Sequence, residues 1–336
     1  MSDRILYTAP GLNEPSGGAR VLFKHVELLR DAGYDAVIWD PQDRTPLDWF
    51  ATTAPVIQAD TLELDETDIL VMPEVFIAED YDPAPGCRKV IYNQGHFLTF
   101  NTASMARYPT WDPLPTMWVS SQASFDVMTR LAQALPVESV DLIPHSIDTD
   151  IFRPPVEREQ KIAWMPQKRP DEAQLLHALF TADPRFGNTI LTEIRRMSQQ
   201  QTAEELGSAA VFIALGHREG FGMPIAEALA SGCAVVGYPA GGGAELFRAP
   251  GTYSIRESDA VAIVEKVADL MVNPPSEEER RSYRDWVIQH YSITGQQRCL
   301  VQAVEVERKK SSQAGIATHP FLSVKHFRNA DTTIKQ

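Results

Sequence analysis

The chain has 336 residues, enough for about two domains of ~150 residues, and its 43% apolar and 23% charged content is ordinary for a globular protein, which excludes collagen-like and wholly disordered architectures. Residues 1–155 carry 23 acidic and 10 basic side chains while residues 156–336 carry 22 and 21, so nearly all of the net −14 sits in the first half, which should repel nucleic acid and anionic lipid. No run reaches the ~18 uncharged apolar residues of a membrane span. The opening Met-Ser-Asp-Arg lacks the apolar core of a secretory signal, and a cytoplasmic location is expected.

Short apolar runs alternate with segments of helical period, the pattern of parallel strands covered by helices, and the pattern occurs twice. In the first half, strands are predicted at Arg4–Ala9, Ala36–Trp39, Ile69–Met72, Lys89–Tyr92, Met117–Ser120 and Val140–Ile143, with helices at Ala19–Ala32 and Gln122–Ala134. Two prolines in Asp150–Glu157 break both periods and suggest a linker. Beyond it, strands are predicted at Lys161–Met165, Thr189–Thr192, Val211–Leu215 and Ala234–Tyr238. Helices are predicted at Asp171–Thr181, Thr202–Ala209, Pro224–Ser231, Ala260–Val272, Glu277–His290 and Thr294–Glu307. The expected division is 1–150, 151–307 and a mobile tail, 308–336, with six basic residues and one acid. Cys87, Cys233 and Cys299 are far apart and odd in number, which suits neither a disulfide framework nor a metal site.

Chemistry concentrates in Val211–Glu227: a buried strand, a polar glycine loop, then a helix opened by Pro224. Free N–H groups and the dipole at such a helix start attract anions. Gly220 and Gly222, on either side of Phe221, let backbone approach a ligand, and the flanking Glu219 and Glu227 can accept hydrogen bonds from sugar hydroxyls. The same residues also suit a solvated loop and a surface helix. Lys168 and Arg169 follow a strand and precede a helix, where two cations can offset a diphosphate or simply be solvated.

The segment Glu219-Gly-Phe-Gly-Met-Pro-Ile-Ala-Glu227, with the Ala-Leu-Ala-Ser-Gly-Cys-Ala-Val-Val run after it, resembles the retaining glycosyltransferases of family four. The resemblance extends to about residue 307. It implies an α/β GT-B fold, two Rossmann-like domains facing across a crevice, with the first carrying the acceptor site and the second the nucleotide-sugar site. It also implies that Glu219 contacts the donor sugar and Glu227 the ribose. Gly241-Gly242-Gly243-Ala244-Glu245 matches the family's glycine turn beside the sugar, and Gly17-Gly18, reached through Gly11, matches the turn facing the phosphates. His96, after a predicted strand, stands where the family often has a histidine near the sugar, although a lone histidine is as readily a packing residue. There is no GxxxxGK[ST] motif.

Three departures stand out. Gln167-Lys168-Arg169-Pro170 compresses the family's usual cation spacing, His145 and Ser146 stand in place of the Asn-Gly of its Asn-Gly-Val-Asp turn, and only one strand fits between Thr181 and Thr202, so the second domain is abbreviated. Asp148-Thr149-Asp150 is formally a metal-binding DxD, but it leads into the linker rather than closing an apolar strand. No resident cofactor or metal is expected. The implied function is metal-independent transfer of a hexose from a nucleotide diphosphate sugar to an acceptor hydroxyl, in polysaccharide or glycoconjugate synthesis. The expected partners are a nucleotide-sugar donor and a carbohydrate or glycoconjugate acceptor, with at most weak membrane contact through the tail. The alternatives are a sugar-nucleotide epimerase or phosphorylase on this fold, or a domain that binds sugar nucleotides without turnover.

Overall fold

The computed structural model describes residues 3–9, 16–40, 49–155 and 158–317. Gly11, the end of the expected linker (Val156 and Glu157) and residues 318–336 of the expected tail lie outside the described residues. The chain forms two units, Met1–Pro144 with Gln296–Gln336, and His145–Gly295.

Unit 1 contains β1 (Arg4–Thr8), α1 (Gly17–Asp31), β2 (Asp35–Trp39), β3 (Val56–Ile57), β4 (Leu62–Leu64), β5 (Ile69–Pro73), β6 (Arg88–Asn93), β7 (Thr116–Val119), α2 (Gln122–Leu131) and β8 (Ser139–Leu142). Seven of these strands form a parallel sheet in the order β3-β2-β1-β5-β6-β7-β8. Leu6 of β1 lies opposite Val37 on one side and Leu70 on the other. The sheet grows outward in both directions from β1 and β5, and the C-terminal ends of these two strands are its topological switch point, where open α/β sheets bind ligands.

Unit 2 contains β9 (Lys161–Trp164), α3 (Pro170–Ala182), β10 (Ile190–Glu193), α4 (Gln199–Ser208), β11 (Val211–Ala214), α5 (Met223–Ala230), β12 (Ala234–Gly237), β13 (Thr252–Ser254), α6 (Ala260–Val272) and α7 (Glu277–His290). Its sheet is parallel in the order β10-β9-β11-β12-β13, with its switch point between β9 and β11. Along β11, Phe212 and Ala214 enter one core while Val211 and Ile213 enter another on the opposite face. Burial on both faces is why this strand reads as an unbroken apolar run. Helices α4 and α7 start at capping boxes built on Ser198 with Gln201 and on Ser276 with Glu279. A single strand, β10, lies between α3 and α4, as the abbreviated second domain requires.

The last elements are α8 (Ile293–Glu307) and β14 (Gly315–Ala317). From Gln296 onward the chain belongs to unit 1 rather than to the second domain. Gln297 Nε2 donates to Leu28 O at 2.9 Å, and the Tyr34 hydroxyl donates to Glu305 Oε1 at 2.8 Å. Residues 308–317 are equally tied down: Gln313 N donates to Gly86 O at 2.8 Å, and β14 pairs antiparallel with β4. The expected linker also differs. Ile147 and Phe152 are buried in the unit 2 core, and Arg284 donates to Thr149 O and Phe152 O, so the crossing between units falls at Pro144 and His145, ahead of the two prolines. All three cysteines are free thiols, with Cys87 and Cys233 buried.

Candidate active site

In unit 2 the loops after β9, β11 and β12 leave the C-terminal edge of the sheet side by side. The last two are joined by backbone. Glu219 N donates to Ala240 O at 2.7 Å, and Gly242 N donates to Glu219 O at 2.8 Å, forming a parallel bridge between Glu219 and Gly241. The approach is so close that a Cβ on Gly242 would stand 1.9 Å from Gly220 O. Gly222 caps α5 with φ of 96°, and Met223 and Pro224 then open the helix; Pro224 has no N–H and Ile225 N donates to Gly222 O at 3.0 Å, which leaves the Met223 N–H as the donor at the helix start. Arg218 and Ala240 also have positive φ, 49° and 52°, at a cost of order 1 kcal/mol each. Strained backbone on both sides of Glu219 is held by the bridge that fixes that residue.

The loop after β9 supplies the cations, and they behave differently. Lys168 Nζ meets Glu219 Oε2 at 2.6 Å, with the lysine side chain 52% exposed and the glutamate 13% exposed. Arg169 is pinned. Its Nε donates to Gly216 O at 2.9 Å, its guanidinium pairs with Glu257 at 2.8 Å and Glu172 at 3.3 Å, and its Cζ lies 4.9 Å from the Tyr238 ring centroid. The Tyr238 hydroxyl donates to Glu172 and accepts from Ser258 N at 3.1 Å, closing the cluster. Burial, then the Glu172 carboxylate, pushes the Tyr238 phenol well above its usual range, so it stays a donor. Tyr238, Glu172 and Glu257 were not legible as site residues in the sequence, because they become neighbours only when β12 and the loop before α6 meet α3.

Beneath the glycine loop, Phe221 is 2% exposed and packs edge-on against His145 at 5.1 Å and Tyr291 at 5.0 Å between centroids. The Tyr291 hydroxyl donates to Glu245 Oε1 at 3.2 Å. The histidine that replaces the usual turn residue thus supports the loop from its core side, and Phe221 anchors the loop by its side chain. Glu227, in α5, is buried at 3% exposure. Asp148 Oδ1 accepts from Asp150 N at 3.1 Å and Ile151 N at 3.3 Å, so the first carboxylate of the DxD closes its own turn.

The remaining predicted residues lie in unit 1. Gly17 and Gly18 open α1 behind the cap Ser16, and Gln94 Nε2 donates to Gly18 O at 3.2 Å. His96, two residues after Gln94, places Nδ1 3.0 Å from Ser124 Oγ, and its ring centroid lies 4.1 Å from that of Phe97 at a tilt of 37°. Partial burial moves His96 below its usual pKa, which keeps the ring neutral at pH 7. The sequence reading overlooked Gln94 and Glu74. The latter directly follows the fully buried strand β5, is 2% exposed, and is raised to about 7 by burial.

Residues 191–285, which include Glu219, Gly220, Gly222, Glu227, Gly241 and Gly242 but not Lys168 or Arg169, match the family described as Glycosyl transferases group 1. An alpha-1,6-glucosyltransferase of Actinobacillus pleuropneumoniae serotype 7 is 26% identical over 238 residues, covering 68% of this chain and 70% of that protein. Among solved structures, sucrose-phosphate synthase from Thermosynechococcus elongatus superposes with a TM-score of 0.63 at 12% identity, covering 91% of this chain and 98% of that one. A glycosyltransferase from Rickettsia africae gives 0.62 at 14% identity, covering 92% and 100%. The Anabaena protein HepE, solved with UDP and glucose, gives 0.60 at 12% identity, covering 90% and 99%. At such identities the structural likeness is one of fold. Residues 191–285 are thus similar to the glycosyl transferases group 1 family, and the chain has the α/β GT-B fold of two Rossmann-like domains.

Proposed function

We propose that this protein is a retaining, metal-independent hexosyltransferase that moves a hexose from a nucleotide diphosphate sugar to an acceptor hydroxyl in polysaccharide or glycoconjugate synthesis. The observation that carries this reading is the meeting of Glu219 with Lys168 beside the glycine-bridged loops that open α5. Such transfer needs charge stabilisation on the departing diphosphate more than it needs a nucleophile. Lys168 and the Met223 N–H at the start of α5 supply it. Glu219 accepts from hydroxyls of the sugar, and Glu227 from those of the ribose. Arg169, already bound to two carboxylates and a ring, positions the Lys168 loop rather than reaching for ligand. In unit 1, His96, Gly17 and Gly18 belong to the acceptor domain and the donor's phosphate turn. The alpha-1,6-glucosyltransferase relative and the UDP and glucose bound by HepE make UDP-glucose the first donor to test.

The division between the two cations is testable by calorimetry with UDP, GDP and dTDP. One of these diphosphates is expected to bind saturably. Lys168→Ala is expected to weaken that binding about tenfold, the size of a lost charge-assisted contact. Arg169→Lys, which keeps the charge but loses the planar fork, is expected instead to lower thermal stability by about 2 kcal/mol. The absence of saturable binding by all three diphosphates would overturn the reading, and a tenfold loss from Arg169→Lys with no stability change would reverse the assignment.

A further inference from the structure

We infer that Glu74 is a positioning residue whose carboxylate sets the Gln94–His96 turn of unit 1 and, through Gln94, the start of α1. Its two oxygens take two consecutive amides: Oε2 accepts from Gln94 N at 3.1 Å and Oε1 from Gly95 N at 3.0 Å. Gln94 in turn reaches Gly18 O through its side chain, and its own carbonyl accepts from Ser120 Oγ at 3.2 Å. One buried side chain therefore links the C-terminal ends of β5, β6 and β7 with the first turn of α1, at the switch point of the sheet. The fit is close on the far side as well, since a Cβ on Gly18 would stand 3.1 Å from Gln94 Oε1. His96 is the next residue after the clamped amides, so the direction of its ring depends on the Glu74 grip.

A carboxylate in this position is an expensive choice unless its charge is used, because burial penalises the ionised form. Both oxygens accept fully only when Glu74 is ionised. Protonation turns one oxygen into a poor acceptor and loosens one amide. The titratable groups that the Glu74 charge reaches are Tyr92 of β6 and Tyr108, both held neutral by burial with that charge adding to the effect, while His96, in the turn itself, is lowered by burial alone. None of these gains or loses a proton near pH 7 before Glu74 does, so the turn should loosen as pH falls through about 7.

This inference rests on the glycosyl-transfer reading only for its kinetic consequence, and its first test needs no donor. In ligand-free, full-length protein labelled with 15N-glycine, the Gly95 amide is expected to shift with pH with a midpoint near 7. Gly95→Ala assigns the signal, since its Cβ would meet nothing closer than 3.7 Å. Glu74→Gln, which can accept only one of the two amides, is expected to abolish the titration. It is also expected to lower kcat for UDP-glucose hydrolysis about tenfold or more through misorientation, with KM little changed, and Glu74→Asp to restore part of it. A Gly95 amide with no midpoint between pH 6 and 8, or a Glu74→Gln protein in which the midpoint persists, overturns the inference. A normal amide titration with no hydrolysis would leave the clamp standing and count against the glycosyl-transfer reading alone.

Discussion

Glu219→Gln is expected to lower sugar transfer by about 10²-fold while leaving nucleoside diphosphate affinity nearly unchanged. The substitution keeps the size of the side chain, and the backbone bridge through Ala240 and Gly242 does not depend on it. What is lost is the charge. A carboxylate accepts from sugar hydroxyls more strongly than an amide does, and it also stabilises positive charge developing on the ring as the diphosphate leaves. Both effects are largest in the transition state, so the loss should fall on kcat. Lys168, freed from its partner at 2.6 Å, keeps its charge for the diphosphate, which is why binding should hold. Steady-state hydrolysis of the donor and calorimetry with the free diphosphate separate the two quantities. Equal falls in both would contradict the division of roles between Glu219 and Lys168.

Gly242→Ala is expected to be the most damaging single methyl in unit 2. Its Cβ would lie 1.9 Å from Gly220 O, 2.1 Å from Gly220 C and 2.6 Å from Phe221 N. All three neighbours are backbone, so no rotamer change can relieve the clash. The loops after β11 and β12 would have to part, giving up the bonds from Glu219 N to Ala240 O and from Gly242 N to Glu219 O. Overpacking of this kind with two lost hydrogen bonds amounts to about 3 kcal/mol or more, which lowers the midpoint of thermal unfolding by roughly 6–12 °C for a domain of this size. A circular dichroism melt reads it directly. A melting point within 1–2 °C of the wild type, roughly the shift of a surface substitution, would mean that the two loops are not locked together.

Parts of this architecture were plain in the sequence because short-range rules decide them. Helices α6 and α7 match their predicted bounds since Asp259 and Ser276 cap them, and β11 reads as an apolar run because both of its faces are covered. The short strands β3, β4, β13 and β14 were missed, since two or three residues carry no period. The unit boundary was misplaced for a different reason. Pro154 and Pro155 announce a break, but Ile147 and Phe152 ahead of them are buried in unit 2. Helix α8 is amphipathic whichever unit it covers, and only its bonds to Leu28 and Tyr34 reveal that it returns to unit 1. At the site, Glu219 and its glycines form one continuous motif and were legible. The Arg169 clamp was not, because Glu257 lies 88 residues away along the chain. Glu74 left a signal that could have been used, a carboxylate placed directly after five buried residues.

Hexose transfer from a nucleotide diphosphate sugar at the Glu219 site, with retention and without metal, is the proposal on which the other expected kinetic results depend. Its most direct test is to follow the full-length protein with UDP-glucose by proton NMR, in the presence of excess EDTA, from the first minutes of the reaction. Slow release of UDP is expected, with α-glucose appearing before mutarotation produces the β anomer, at a rate that EDTA does not change and that Glu219→Gln lowers about 10²-fold. First appearance of β-glucose, or turnover that EDTA removes and manganese restores, would contradict it.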